Sequence, residues 1–249
     1  MQGDSDLKKK LWNYQITVEM IDFPEDSTVV NEIFDRLNRN SRKLTPQELR
    51  HAKYDGWLIS VVESESEREE WRELGIVTTS RARRMADSQF ISELLLVLLE
   101  KKIMGFDQDI LDELYAKYNS IADDDISINE DDFKSSLEQT KQFILSVHQI
   151  NNSIAKFTNV FANFYTLWTT VCLNQEQLPD RIIFAERYDM FISRVAELSK
   201  QEDLTDFLQA HPEDEYKQAL TYLNNARGAS TDQKQRENRH SILTNAIIY

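Results

Sequence analysis

Residues that interrupt helices are scarce in this chain. It contains only five glycines and four prolines among 249 residues, whereas helix-favouring Leu, Glu, Lys, Gln and Arg are abundant. Helices can therefore run over long stretches, and we predict a mainly α protein with a multi-helix, bundle-like domain. A hydrophobic content of 41% in a chain of this length is sufficient for one large core or two small ones.

One segment near the N-terminus has the pattern of a strand. In NYQITVEMID the apolar residues Tyr14, Ile16, Val18 and Met20 alternate with polar ones, a period of two that is typical of a half-buried strand. We predict a single strand over about residues 13–22. A lone strand leaves its backbone hydrogen-bonding groups unpaired, so its sheet is expected to come from another segment, another polypeptide or a second copy of this chain.

Helical periodicity follows this strand. A period near 3.6 predicts a helix over about residues 27–38, and Thr45, Pro46 and Glu48 have the spacing of a capping box that opens helical segments over about 45–74. Ser230 and Gln233 have similar spacing at the start of the last predicted helix. The further helices are predicted over residues 80–102, 109–118, 129–151, 182–198, 213–226 and 230–248.

The charge balance limits the partners that the chain can have. A net charge of −14 opposes broad, sequence-independent binding to nucleic acid, because phosphate neutralisation by Lys and Arg supplies most of that affinity. Basic residues do cluster at 36–43, 81–84 and 227–239, although solvated helix faces are the more ordinary interpretation. No apolar run approaches the length of a membrane span. With Cys172 as its single cysteine, which we expect to fill the core, the chain is predicted to be cytoplasmic.

No catalytic or metal-binding motif stands out. The four histidines are isolated from one another and from Cys172, and there is no GxxxxGK[ST] or GxGxxG sequence. The acidic stretch DDDISINEDD departs from a calcium loop, because Ile128 stands where the loop needs glycine and Lys134 where it needs glutamate. We therefore predict no catalytic residue, no metal site and no cofactor in this chain.

The segment RLNRNSRK is the best candidate for ligand contact. Arginines can hold phosphate oxygens bidentately, and an asparagine amide can contact a base, a ribose or a phosphate. The alternative is structural, with Asn38 ending its helix and Arg36 forming an ion pair with Asp35, Glu32 or Glu48. The candidate phosphate- or nucleic-acid-binding residues are Arg36, Asn38, Arg39, Arg42 and Lys43, and the secondary basic candidates are Arg81, Arg83 and Arg84.

The segment IFDRLNRNSRKLTPQELRHAKYDG resembles a stretch of the GmrSD-type restriction proteins, whose pattern is close to [IV]FxR[IL]NxxGxxLxxxELRxAxYxG. The family's glycine is replaced within Asn40-Ser41-Arg42. RRMADSQFISELLL and RGASTDQKQRENRHSIL resemble two later helices of the family more loosely. The matching residues of the first segment are Phe34, Arg36, Asn38, Leu44, Glu48, Leu49, Arg50, Ala52, Tyr54 and Gly56.

The resemblance implies a division of labour. Family members carry a DGQQR motif in a ParB-like, sulfiredoxin-like domain, upstream of the strand that NYQITVEMID resembles, and it implies cleavage of foreign or modified DNA with NTP and Mg²⁺. This sequence has no DGQQR, so residues 1–76 are interpreted as a remnant of that domain and 77–249 as the C-terminal helical domain. Arg36 and Asn38 would supply a second wall to its pocket. The chain is expected to be inactive alone and to pair with a ParB-like polypeptide.

Two other functions remain open. An acidic helical module that regulates or scaffolds a defence complex fits the net charge equally well. Direct but weak DNA binding through Arg36, Arg39, Arg42 and Lys43 is the third hypothesis, with affinity that falls as salt rises.

Overall fold

The computed structural model describes residues 12–15, 44–105, 107–119, 128–158, 160–201 and 203–249. The chain divides into two compact units, Met1–Lys43 and Leu44–Tyr249. The predicted strand beyond residue 15 and the predicted helix over 27–38 lie outside the described residues. The segment 45–74, which the sequence analysis grouped with the N-terminal part, lies in the second unit, and the division at residues 76 and 77 stays a prediction.

The second unit opens with three short helices. They are α1 (Pro46–Lys53), α2 (Trp57–Ser66) and α3 (Glu69–Glu73). The predicted capping box of α1 is confirmed, because the Thr45 side chain accepts from the Glu48 amide while the Glu48 side chain accepts from the Thr45 amide.

A single helix over residues 80–102 was the wrong prediction, since the structure has two helices there. They are α4 (Thr79–Ala82) and α5 (Ala86–Glu100). Met85, between them, has a φ of 53°, and this left-handed conformation ends the helical path. An apolar periodicity does not register such a break, because Met85 has an unremarkable helix propensity.

The remaining helices follow the predicted boundaries closely where they were predicted. The last helix is capped at Asp232 without a side-chain hydrogen bond, so the predicted capping box at Ser230 and Gln233 is wrong. A short 3₁₀ helix, Gln175–Gln177, precedes α10. The helices are α6 (Gln108–Lys117), α7 (Glu130–Asn151), α8 (Ser153–Phe157), α9 (Phe161–Leu173), α10 (Arg181–Leu198), α11 (Leu204–Ala210), α12 (Asp214–Asn225) and α13 (Gln233–Ile247).

The core of the second unit lies where α5 and α9 pack together. The rings of Trp71 and Trp168 are 5.6 Å apart, and the Trp168 indole donates a 2.9 Å hydrogen bond to the carbonyl of Leu94. α9 also packs against α13, while α10 packs against α7 and α12. The mainly α class is thus confirmed, with no strand among the residues that the structure describes. None of the described helices has both the length and the apolar character of a membrane span.

Candidate functional site

The predicted contact residues fall into two groups. Arg36, Asn38, Arg39, Arg42 and Lys43 lie outside the described residues, so their roles stay predictions. Arg81, Arg83 and Arg84 lie on α4 and in the turn that follows it. Arg83 is exposed, whereas Arg81 and Arg84 are half-buried.

Arg81 is used within the fold. One of its Nη atoms donates to the carbonyls of Gly75 at 2.7 Å and Ile76 at 3.0 Å, and the other donates to the carbonyl of Thr158 at 3.1 Å. Its guanidinium also lies 4.2 Å from the centre of the Phe161 ring, a cation–π contact. Burial lowers the pKa of Arg81. These contacts favour a structural role for Arg81, joining the α3–α4 turn to the start of α9.

Arg84 lies at a cavity of about 320 Å³, which we call the arginine cavity. Three parts of the chain that are distant in sequence form its walls: the start of α1, the turn before α5 with α5 itself, and the start of α13 with its preceding turn. The N-terminal part of α9 closes it with Phe161, Ala162 and Tyr165. The charged and hydroxyl-bearing wall residues from the first three parts are Thr45, Arg84, Glu93, Ser230, Thr231, Arg236 and Arg239.

A buried ion pair crosses one wall of the cavity. Arg236 Nη2 on α13 lies 2.6 Å from Glu93 Oε2 on α5, and both side chains are less than a tenth exposed. The Arg236 guanidinium also lies 3.9 Å from the centre of the Tyr165 ring. Burial raises the pKa of Glu93 while Arg236 opposes that shift. Arg236 therefore compensates the charge of the Glu93 carboxylate, and the ion pair holds α13 against α5.

Arg239 has a different environment. Its side chain is completely buried, with Nε donating to Thr166 Oγ1 at 3.2 Å, and its two Nη atoms donating to the carbonyls of Asn225 and Ser230. Among the described residues, no carboxylate forms an ion pair with it. Burial lowers the pKa of Arg239, because the charged guanidinium is desolvated. The wall thus contains a buried cation whose hydrogen-bond acceptors are all neutral.

Aromatic rings form the apolar wall of the cavity. Phe90 and Phe161 are stacked with their centres 4.0 Å apart and their planes at 4°. The Phe161 ring contacts both the Phe90 ring and the Arg81 guanidinium, and these contacts hold it in place at the start of α9. The arrangement is a rigid apolar surface beside a cluster of guanidinium groups.

A larger groove of about 610 Å³ lies between α7 and the connection from α9 to α10. Its walls include Gln139, Gln142 and Arg181, and on one side Gln175 Nε2 donates to Thr140 Oγ1 at 3.1 Å. The groove is open, and its polar lining, among the described residues, comprises three glutamine amides, two hydroxyl groups and the exposed or half-buried charges of Glu138 and Arg181. The concentration of buried charge makes the arginine cavity the better candidate for a site.

The most buried charged residues of the cavity were not singled out from the sequence. Glu93 lies within the apolar run FISELLL. A charged residue on an otherwise buried helix face indicates a buried partner, but it belongs to no recognisable motif. Arg236 and Arg239 belong to the basic cluster 227–239, but their three-residue spacing, which places both on one face of α13, was not used.

No group of three or more His, Cys, Asp or Glu side chains in the described part of the chain is arranged to hold a metal ion. Comparison with known proteins adds no further constraint: the chain matches no family model, no curated protein and no solved structure.

Proposed function

We propose that this chain is the mainly helical part of a GmrSD-type restriction protein, acting in the cytoplasm against foreign or modified DNA together with a polypeptide that carries the DGQQR motif. One observation carries the proposal. The three segments that resemble the family, although distant in sequence, meet at the arginine cavity.

Direct contacts join the three segments there. The Thr45 hydroxyl of the first segment lies 3.2 Å from the carbonyl oxygen of Arg84 in the second. Glu93 of the second segment pairs with Arg236 of the third, 143 residues further along the chain. A chance likeness in separate helices has no reason to converge on one cavity, so the convergence supports a common origin for the three likenesses.

The chemistry is divided between this chain and its partner. The residues to which the family resemblance assigns DNA cleavage with NTP and Mg²⁺ belong to the DGQQR motif, which this sequence lacks. The chain's own contribution is to bind and orient DNA, with Arg36, Asn38, Arg39, Arg42 and Lys43 as the proposed contacts. The period-two segment over 13–22 is the proposed docking strand for the ParB-like partner.

Co-expression with a ParB-like polypeptide that carries DGQQR tests this function. We expect the two chains to co-purify and to nick modified DNA in the presence of Mg²⁺ and NTP, while this chain alone is inactive. Arg36→Ala with Arg39→Ala is expected to lower nicking and to leave co-purification intact, and Arg72→Ala with Arg194→Ala is the charge-matched control. Nicking by this chain alone, or failure of the two chains to associate, would contradict the proposal.

A second candidate is an acidic interaction module without nuclease activity. The observation that favours it is on α10, where Ile182, Ile183 and Met190 are 57%, 44% and 52% exposed. Ile183 and Met190 are two helical turns apart and therefore share a face. If Ile183→Glu with Met190→Glu abolishes capture of a defence-complex protein that carries no DGQQR, while the fold is retained, this second function replaces the first.

A further inference from the structure

Among the residues that the structure describes, the walls of the arginine cavity are unbalanced in charge. Three described guanidinium groups, those of Arg84, Arg236 and Arg239, line it together with one described carboxylate, that of Glu93. Glu48 lies just outside, with Oε2 3.6 Å from Arg84 Nη2. Even with both carboxylates counted, Arg239 has no anionic partner among the described residues.

Burying a cation whose hydrogen-bond acceptors are all neutral costs free energy. Carbonyl and hydroxyl dipoles replace part of the hydration of Arg239, but removal of a guanidinium from water is normally offset by a nearby anion. An anion entering the cavity would meet that charge in a region of low dielectric, where the attraction is stronger than at the surface. The built-in imbalance thus favours an anionic ligand and disfavours a cationic or neutral one.

We propose that the arginine cavity binds a small phosphate monoester, with Arg84 and Arg239 as its main cationic contacts. The planar guanidinium fork matches phosphate oxygens in two-point hydrogen bonding. Ser230 and Thr231 lie on the same wall and add hydroxyl groups that can donate to further oxygens. Glu93 is held by Arg236 and therefore repels the ligand less than a lone carboxylate would.

The volume of the cavity restricts which phosphate monoesters can bind. About 320 Å³ is at the lower end of the range for small-molecule sites, roughly 300–1,000 Å³, and too small for duplex DNA. It suits a sugar phosphate or a mononucleotide whose apolar part lies against the Phe90 and Phe161 rings. The inference goes beyond the proposed function and is independent of it, because the charges of this chain alone carry it.

Titration calorimetry on the full chain, at constant ionic strength, tests the proposal. The probes are ribose 5-phosphate and adenosine 5′-monophosphate, with inorganic phosphate as competitor and adenosine as the uncharged control. We expect both monoesters to bind, phosphate to displace them, and adenosine to bind at least about tenfold more weakly. Stronger binding of the nucleotide than of the sugar phosphate identifies a nucleotide source, and equal binding identifies recognition of the phosphate group alone.

Arg84 and Ala86, which are half-buried and exposed respectively, form what we call the mouth of the cavity. Variants at the mouth distinguish an effect on binding from an effect on folding. Arg239 also holds the connection between α12 and α13, so its replacement would affect both. Arg84→Gln removes a half-buried charge, and Ala86→Phe covers the mouth from an exposed position; each is expected to weaken monoester binding by about tenfold or more. Arg72→Gln and Ala116→Phe, at exposed positions away from the cavity, are the matched controls.

Three results would overturn the proposal: no monoester binding by the wild-type chain at millimolar concentration, binding unchanged in both mouth variants, or adenosine binding as tightly as its monophosphate. None of these measurements needs the DGQQR polypeptide. Failure here therefore leaves the co-purification test unaffected, and failure of co-purification leaves the ligand test unaffected.

Discussion

Lys141 and Glu65 form a buried ion pair between α7 and α2. Lys141 Nζ lies 2.8 Å from Glu65 Oε2, and the lysine side chain is completely buried. The same carboxylate oxygen accepts a 2.9 Å hydrogen bond from the Trp71 indole, and Glu138, at 3.2 Å from Lys141, provides a second carboxylate at the rim. Helices α2, α3 and α7 therefore meet at one fully engaged polar group within an apolar core.

Breaking this pair from one side is expected to destabilise the protein. Lys141→Met leaves the Glu65 carboxylate with the Trp71 indole as its hydrogen-bond donor and with Arg68, 3.9 Å away, as its remaining cationic partner. The free energy of unfolding should therefore fall by about 3 kcal/mol, the lower end of the range for breaking a buried ion pair. Glu65→Gln with Lys141→Met removes both charges and should cost clearly less than the sum of the single changes. Urea unfolding of the four proteins in this double-mutant cycle measures the coupling, and strict additivity would contradict it.

Stability is also expected to fall in mildly acidic solution because of two histidines. Burial lowers the pKa of His148, with Glu73 opposing the shift, and burial lowers the pKa of His240 as well. With a folded-state pKa below the ordinary 6.5, the unfolded chain binds more protons as the pH falls. The stabilising contribution is thus complete above about pH 6.5 and is lost as the pH falls through the lower folded-state values.

The measurement for this effect is the free energy of urea unfolding between about pH 8 and pH 5, where carboxylates contribute less than histidines. His148→Gln with His240→Gln should flatten the dependence relative to the wild-type chain. At about pH 8 both histidines are neutral, so the difference in the free energy of unfolding between wild type and variant gives the packing cost of the substitutions. The difference in slope at lower pH gives the proton linkage. If the variant retained the full pH dependence of the wild-type chain, the two histidines would not be the cause of that dependence.

The helices were largely predictable because their ends carry local signals. The Thr45 capping box and the Asn129 cap before α7 depend on contacts within one helical turn, so a single sequence is sufficient to find them. The break at Met85 has no such signal. The left-handed residue lies close to Arg81, whose bonds to three carbonyls join segments that no local pattern relates.

The arginine cavity was predictable only in part. Arg84 was singled out as a basic residue, but the partners that define its surroundings come from α1, α9 and α13. Periodicity shows that Glu93 faces the core, yet it does not show that Arg236 will meet it there. Long-range pairing of this kind depends on how the helices pack, and local sequence patterns do not determine the packing angles.

A stabilising substitution is expected at the C-terminal end of α5. Lys101 is exposed and has a left-handed backbone, with φ 51° and ψ 33°, which costs a residue with a Cβ about 1–2 kcal/mol. Lys101→Gly should therefore raise the free energy of unfolding by roughly 1 kcal/mol. Lys134→Gly, at an exposed position inside α7, should instead lower it by about 1 kcal/mol. Destabilisation by both changes, measured in urea, would contradict the strain at Lys101.

Gly56, which ends the segment that most resembles the restriction family, is needed for the close approach of α2 to the end of α6. A Cβ added there would lie 1.8 Å from the backbone oxygen of Asn119. The Trp57 amide donates to this oxygen at 3.0 Å, and the Leu58 amide donates to the carbonyl of Tyr118 at 3.2 Å. Gly56→Ala is therefore expected to lower the free energy of unfolding by about 3 kcal/mol.

Gly228 provides the matched control for this prediction, because a Cβ there would meet nothing within 4 Å although its φ is +67°. Gly228→Ala should cost about 1 kcal/mol through backbone strain alone. Hydrogen exchange separates the two causes: the amides of Trp57 and Leu58 should lose protection in Gly56→Ala and keep it in Gly228→Ala. If both amides kept their protection in Gly56→Ala, as in Gly228→Ala, the contact between α2 and the end of α6 would tolerate a Cβ at residue 56, and Gly56 would not be required by it.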